Sequence, residues 1–332
     1  MNYIGSKLKL SEFIKDTILT VTGKNIKDKI FCDLFAGTGI IGRVFKKEVK
    51  QIISNDIEYY SYVLNRNYIG NHKPIVYKKY IEELNSLKGE KGFIYKNYCL
   101  GGGSGRMFFS DLNGQKIDVA RNKIEEWKQN KEISENQYYF LLASLLESAD
   151  KVANTACVYG AFLKKFKKSA LNILDIQPAL YEINSNEHLV YNEDANNLIK
   201  HISGDILYLD PPYNSRQYGA NYHLLNTIAR YDNFIPKGKT GLRQYFKSDF
   251  CVSSKVGVSF EHLIKEAKFK YIFISYNNDG LMPFEDIKCI MKKYGRYDVL
   301  KHKYIRFKSD TDSKKVYKTE PLYEYLHVLE KF

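Results

Sequence analysis

An apolar run, Lys29-Ile-Phe-Cys-Asp33-Leu34, leads directly into Phe35-Ala-Gly37-Thr-Gly39-Ile-Ile-Gly42. Few folds accept that succession. Consecutive apolar residues suit a strand buried on both faces, and glycines straight after it suit a turn whose backbone approaches a ligand closely. Gly42 to Lys50 then reads as a helix, Gln51-Ile-Ile-Ser-Asn55 as a second strand ending in Asp56, and Glu58 to Gly70 as a second helix. Ahead of them, Leu8, Leu10, Phe13, Ile14, Thr17 and Ile18 fall near helical spacing over residues 8–20. Strand, glycine turn, helix, strand, helix is how a parallel α/β sheet begins.

The same rhythm returns late in the chain. Asp205 to Leu209 and Lys270 to Ser275 read as strands, residues 284–294 as a helix, and residues 297–300 and 323–329 as a closing pair of strands. The expected fold class is therefore α/β: a Rossmann-like sheet, mostly parallel, with a late antiparallel strand. Between the two halves, residues 75–190 carry glycines at 101–103 and 105, two helical stretches (about 117–130 and 135–153) and the basic cluster around Phe166. That is too long for a connection. The expectation is a domain made of 1–74 and 191–332, with 75–190 inserted into it.

Two clusters carry chemistry. The glycine loop satisfies GxGxxG, and Asp56 stands where a nucleotide-binding domain puts its ribose-binding acid. On these residues alone the ligand stays open between a dinucleotide and S-adenosylmethionine, with a purely structural turn as the bland reading. The second cluster is Asp210-Pro211-Pro212-Tyr213, at the carboxyl end of an apolar strand. Two prolines fix the backbone and remove two N–H donors, leaving carbonyls to accept. An acid, a rigid carbonyl and an aromatic ring together suit an exocyclic amino group on a planar base. The bland alternative is a Pro-Pro turn with a capping Asp.

These motifs and their order resemble the alpha-group N6-adenine DNA methyltransferases, the DNA adenine methylase family. Tyr3-Ile-Gly5-Ser-Lys7 is similar to the family's N-terminal motif against the methionine part of the cofactor, with Ser6 where glycine is frequent. Asp33, Phe35, Gly37 and Gly39 match its cofactor loop, and Asp56 its ribose acid. Asp194, followed by Ala195 where many relatives have Phe, matches the acid that meets the cofactor adenine. Asp210 to Tyr213 match the catalytic tetrapeptide.

The resemblance implies S-adenosylmethionine as cofactor, no metal, and double-stranded DNA as substrate. It implies a base flipped onto Tyr213, with Asp210 and Pro211 accepting the amino hydrogens. It implies recognition by residues 75–190 and a monomer in the cytoplasm. It also implies the protective half of a restriction-modification system, with an endonuclease partner that forms no stable complex.

Charge agrees with that substrate. The chain has 51 Lys+Arg against 38 Asp+Glu, a formal +13, with 28 Tyr and 19 Phe. Excess cations with many aromatics suit a polyanion whose bases can stack. Candidate DNA contacts are Arg106, Arg121, Lys164, Lys165, Lys167 and Lys168, then Arg216 and Arg243 after the tetrapeptide. No apolar stretch nears the roughly 20 residues that span a bilayer, and the first ten residues hold no signal-peptide core. Five scattered cysteines have no metal-ligand spacing. Three other readings compete: a cytosine-N4 or RNA methyltransferase, a nicotinamide-dependent dehydrogenase, and a non-enzymatic DNA binder. The dehydrogenase leaves Tyr3 to Lys7 and Asp210 to Tyr213 without a role, and the binder needs neither cluster.

Overall fold

Consecutive apolar residues in the strands bury both faces of the sheet. Phe31, Ile52, Ile206 and Phe273 point into one core, and their chain neighbours Cys32, Ile53, Leu207 and Ile274 into the opposite one. Side chains alternate along a strand, so a strand covered on both sides is largely apolar on both faces. The structure is a computed structural model describing residues 7–304 and 322–332.

Seven strands form one sheet: β1 Ile30–Asp33, β2 Gln51–Asn55, β3 Leu189–Tyr191, β4 Ser203–Leu209, β5 Lys268–Asn277, β6 Gly295–Tyr304 and β7 Leu322–Lys331. Their order is β3-β2-β1-β4-β5-β7-β6. β1 to β5 pair in parallel, and β7 runs antiparallel to both β5 and β6. This is the expected Rossmann-like sheet. The chain moves outward from β1 through β2 to β3, then crosses back to β4 on the other side of β1. Such a reversal opens a crevice at the carboxyl ends of the two central strands. In β1 and β4, Asp33 lies beside Tyr208, so the glycine loop and the Asp210 turn leave the sheet side by side.

Several elements differ in extent from the sequence reading. The helix expected from Gly42 is shorter, Ile40–Phe45. The helix after Asp56 runs Tyr59–Asn65 and then widens into a π-type turn over Arg66–Gly70. Strand β3 is three residues at the sheet edge, too short to show a period. The helices Lys78–Ser86, His223–Arg230 and Ser253–Glu266 were also unforeseen.

The long segment between β2 and β3 is helical. Ser110 caps Asp111–Gln129, and Ser134 with Gln137 forms a capping box on Glu135–Lys151. Each cap satisfies backbone donors that the first helical turn leaves bare. Residues of these helices share one core with Tyr60, Val63 and Leu64 and with Leu224, Leu225 and Ile228. The segment therefore packs onto helices on either side of the crevice. Arg121 is the clasp. Its buried guanidinium donates to the carbonyls of Ile228 (3.1 Å) and Ala229 (3.1 Å), at the negative end of the His223–Arg230 helix, and to Glu125 (2.9 Å). Expected at the surface against DNA, Arg121 is interior: a planar fork with its donors engaged is a structural cation. Among the described residues no helix is long and apolar enough to cross a membrane.

Candidate active site

The glycine loop is shaped from behind. Gly37 and Gly39 adopt φ of +52° and +75°, a region that only glycine enters without strain. The Gly37 amide donates to Asp56 Oδ2 (2.8 Å), while Asn65 Nδ2 (3.0 Å) and Ser61 Oγ donate to the Gly37 carbonyl. Asn65 is itself held by Ser54 Oγ, which donates to its Oδ1 (2.8 Å). Asp56 Oδ1 accepts from the Glu58 amide (2.9 Å). Asp56 thus braces the loop in addition to facing the crevice.

The crevice, counted together with the solvent at its open mouth, spans about 950 Å³. Lys7, Asp33, Phe35, Gly37, Asp56, Asp194, Asp210 and Pro212 all line it. Residues from both sequence clusters therefore share one cavity. Gly39, Pro211 and Tyr213 are not among the lining residues, but each is next in the chain to one that is. Tyr3 and Gly5 lie outside the described residues.

One acid there is short of partners. Asp33 is buried; Oδ2 accepts a long bond from the Gly42 amide (3.3 Å), and among the described residues Oδ1 has no hydrogen-bond partner. Burial, reinforced by the charge of Asp210, pushes the Asp33 carboxyl up to about 8. Burial likewise raises Asp56 to about 6 and Glu58 to about 7. An orphaned buried carboxylate oxygen is costly unless something binds it. A cationic ligand group at that point satisfies the oxygen and restores the charged form.

Asp210 follows β4 and belongs to a buried quartet. Lys7 Nζ stands 3.1 Å from Asp210 Oδ1, 2.8 Å from Glu324 Oε1 and 2.5 Å from the Tyr213 hydroxyl. The Tyr213 hydroxyl lies 2.6 Å from Asp210 Oδ1 and 2.7 Å from Glu324 Oε1. Lys7 Nζ is 4.6 Å from the centre of the Tyr213 ring. With the hydroxyl only 2.5 Å away, the ammonium sits at the phenol end and not over the ring face. Both Asp210 contacts use Oδ1; among the described residues Oδ2 has no hydrogen-bond partner. The Pro211 carbonyl accepts no backbone bond among the described residues. The Tyr213 ring packs against Tyr276, centroids 4.8 Å apart.

The far wall is stitched to β2. Asn55 Nδ2 donates to the carbonyls of Leu34 and Glu193 (3.1 Å each), and Asn55 Oδ1 accepts from the Glu193 amide (3.0 Å). Asp194 caps the short helix Ala195–Leu198 through the Asn197 amide (3.1 Å) while lining the crevice. Phe35 packs edge-on against Phe250 (5.1 Å).

The candidate DNA contacts divide. Lys164, Lys165, Lys168 and Arg216 are exposed. Arg106 donates to the carbonyls of Lys239 (3.2 Å), Asn97 (3.0 Å) and Gly238 (3.0 Å), tying two loops together. Arg243 forms a fork onto Asp232 (2.9 and 2.7 Å). Lys167 donates to the Thr155 carbonyl (2.8 Å). His223 is buried against the Tyr159 carbonyl (3.0 Å) and held neutral, burial lowering it to about 4.

Sequence reasoning missed Glu324, Glu58, Asn226 and Asn65. Asn226 Nδ2 donates to Glu58 Oε2 (2.5 Å), a contact between distant segments that no local pattern announces. Only Asn65 had a signal: an amide directly after the apolar pair Val63-Leu64 at the end of a short helix.

Comparison with known proteins bears on this geometry. Residues 3–288 match the family described as D12 class N6 adenine-specific DNA methyltransferase. "Type II methyltransferase M.NlaIII" of Neisseria lactamica is 60% identical, over 100% of this chain and 99% of that protein. "Type II methyltransferase M.CviAII" of Paramecium bursaria Chlorella virus 1 is 40% identical, over 93% of each. "Type II methyltransferase M.FokI" of Planomicrobium okeanokoites is 40% identical over the whole chain, which spans 53% of that longer protein.

Proposed function

The chain belongs to the D12 class N6 adenine-specific DNA methyltransferases, and from that premise we propose that its crevice binds S-adenosylmethionine beside a flipped-out adenine. The observation that carries the reading is the single cavity that joins Asp33 and Asp56 to Asp210. The fit of the cofactor rests on the orphaned Asp33 Oδ1, which suits an ammonium. Asp56 suits ribose hydroxyls, and Asp194 with Phe35 suits the adenine. When bound, S-adenosylmethionine supplies an electrophilic methyl group on a sulfonium.

The chain's own residues then act on the target base. Adenine inside a duplex cannot reach such a cavity, so it leaves the stack. Asp210 Oδ2 and the Pro211 carbonyl each accept one amino hydrogen. That localises the N6 lone pair, which in the conjugated base is spread into the ring. As the N–C bond forms, the methyl–sulfur bond of a bound cofactor would break, with its electron pair leaving on sulfur as neutral S-adenosylhomocysteine. N6 gains the positive charge, Asp210 stabilises it, and one amino proton is lost to Asp210 and then to water. Fixed acceptors in a desolvated site supply most of the effect. The buried Tyr213 hydroxyl holds its ring for stacking.

Residues 75–190 recognise the target sequence, and the exposed Lys164, Lys165, Lys168 and Arg216 meet phosphate. The type II relatives support a protective role in a restriction-modification system, exercised in the cytoplasm beside an endonuclease of the same specificity. Incubation with tritiated S-adenosylmethionine and duplex DNA, single-stranded DNA or RNA tests the reading. Label is expected as N6-methyladenine in duplex DNA; label confined to RNA or to cytosine overturns it.

A further inference from the structure

Glu324 sits near the start of β7, in register with Asn277 of β5 and His302 of β6. It is buried and far from both sequence clusters, yet its Oε1 reaches Lys7 Nζ (2.8 Å) and the Tyr213 hydroxyl (2.7 Å). Nothing in the proposed transfer so far uses it. A carboxylate brought out of water beside a second one is unfavourable unless cations and donors compensate. Here one ammonium serves two carboxylates, and one phenolic proton faces two acceptors.

We infer that Glu324 is a positioning residue for methyl transfer: by competing for the Lys7 ammonium and the Tyr213 proton, it keeps Asp210 a strong acceptor for the adenine amino group. Without Glu324, Lys7 and Tyr213 would both direct their donors at Asp210 Oδ1. That carboxylate would then be neutralised by its own neighbours and would polarise the amino group less. With Glu324 in place, Lys7 still holds Asp210 in position but shares its charge. The inference deepens the proposed function and rests on it.

The charged and titratable groups facing Asp210 are Lys7 on the N-terminal turn, Glu324 on β7, Tyr213 and Tyr218 after β4, Tyr208 in β4 and Asp33 after β1. His302 lies across from Glu324 on β6. Burial raises the Asp210 carboxyl, Lys7 lowers it and Glu324 raises it again. Removing the Glu324 charge therefore moves Asp210 to lower pH and makes it a weaker base.

Glu324→Gln and Glu324→Asp, with wild type, are assayed for transfer to cognate duplex across pH. Wild type is run first: if it methylates no DNA, the proposed function fails, not this inference. For Glu324→Gln, kcat should fall about 10- to 100-fold. KM for cofactor and DNA should stay within about twofold, and the acid limb of the kcat profile should move to lower pH. Glu324→Asp should keep the wild-type limb and recover part of kcat. Fluorescence of duplex carrying 2-aminopurine at the target should rise equally in all three, because flipping does not depend on the acceptor. Unchanged kcat in Glu324→Gln overturns the inference. So does a fall without movement of the limb, or one matched by Glu324→Asp. If Glu324→Gln does not fold, Glu324→Asp decides: a limb displaced from wild type overturns it.

Discussion

The side chain of Asn65 lies directly behind Gly39, its Oδ1 2.6 Å from where a β-carbon on that glycine would stand. Gly39 also holds a φ of +75°, so alanine there meets both a clash and backbone strain. Gly39→Ala should cost about 1–3 kcal/mol of stability. It should also weaken cofactor binding, because the loop it distorts is the crevice floor. Thermal melts with and without S-adenosylhomocysteine measure both effects; a ligand-induced shift equal to wild type counts against the assigned loop role.

Asp210→Ala separates binding from chemistry. Asp210 is one of eight sequence-expected residues on the crevice wall and the member of the quartet whose Oδ2 is left to accept. S-Adenosylhomocysteine should still raise the melting temperature, while turnover should fall by at least about 10³-fold. Residual transfer near the wild-type rate would remove Asp210 from the mechanism.

The raised acids of the crevice set a pH dependence whose sign follows from their folded values. Asp33 sits at about 8 against an ordinary 3.8, so folded chains retain its proton where unfolded chains have lost it. Its stabilising contribution is complete below the unfolded value and is lost as pH rises towards 8. Glu58, at about 7, and Asp56, at about 6, act in the same direction. Asp33→Asn should therefore melt increasingly above wild type between pH 4 and 8, with the gap levelling beyond. Parallel melting curves across that window would contradict the burial assigned to Asp33.

Two sets of cations should behave differently. Arg106 joins the loops around Asn97 and Lys239 through three carbonyls, so Arg106→Ala should cost about 1–3 kcal/mol. The triple replacement of exposed Lys164, Lys165 and Lys168 by Ala should leave stability within about 0.5 kcal/mol. It should also weaken DNA binding and flatten the salt slope by about one unit per lost phosphate contact. Denaturant titration and binding at two salt concentrations distinguish them. An unchanged salt slope would place DNA elsewhere.

Local chemistry determined a good deal of this protein before any fold was known. Consecutive apolar residues marked β1, β2, β4 and β5, because a strand covered on both faces is mostly apolar. Gly37 and Gly39 marked the turn, because their positive φ favours glycine. Asp210 to Tyr213 marked the turn that leaves β4 at the crevice, because an acid, two prolines and an aromatic are adjacent in the chain. Tertiary structure decided what depends on distant segments meeting. Placing β7 between β5 and β6 brings Glu324 against Lys7 and Tyr213, and no spacing encodes that meeting. Whether an arginine is a surface cation or an internal clasp was equally invisible, since Arg106, Arg121 and Arg243 look like any other basic residue in sequence. Their donors end on backbone carbonyls, on Glu125 or on Asp232; Arg121 is buried, and a buried guanidinium must satisfy its hydrogen bonds where it lies.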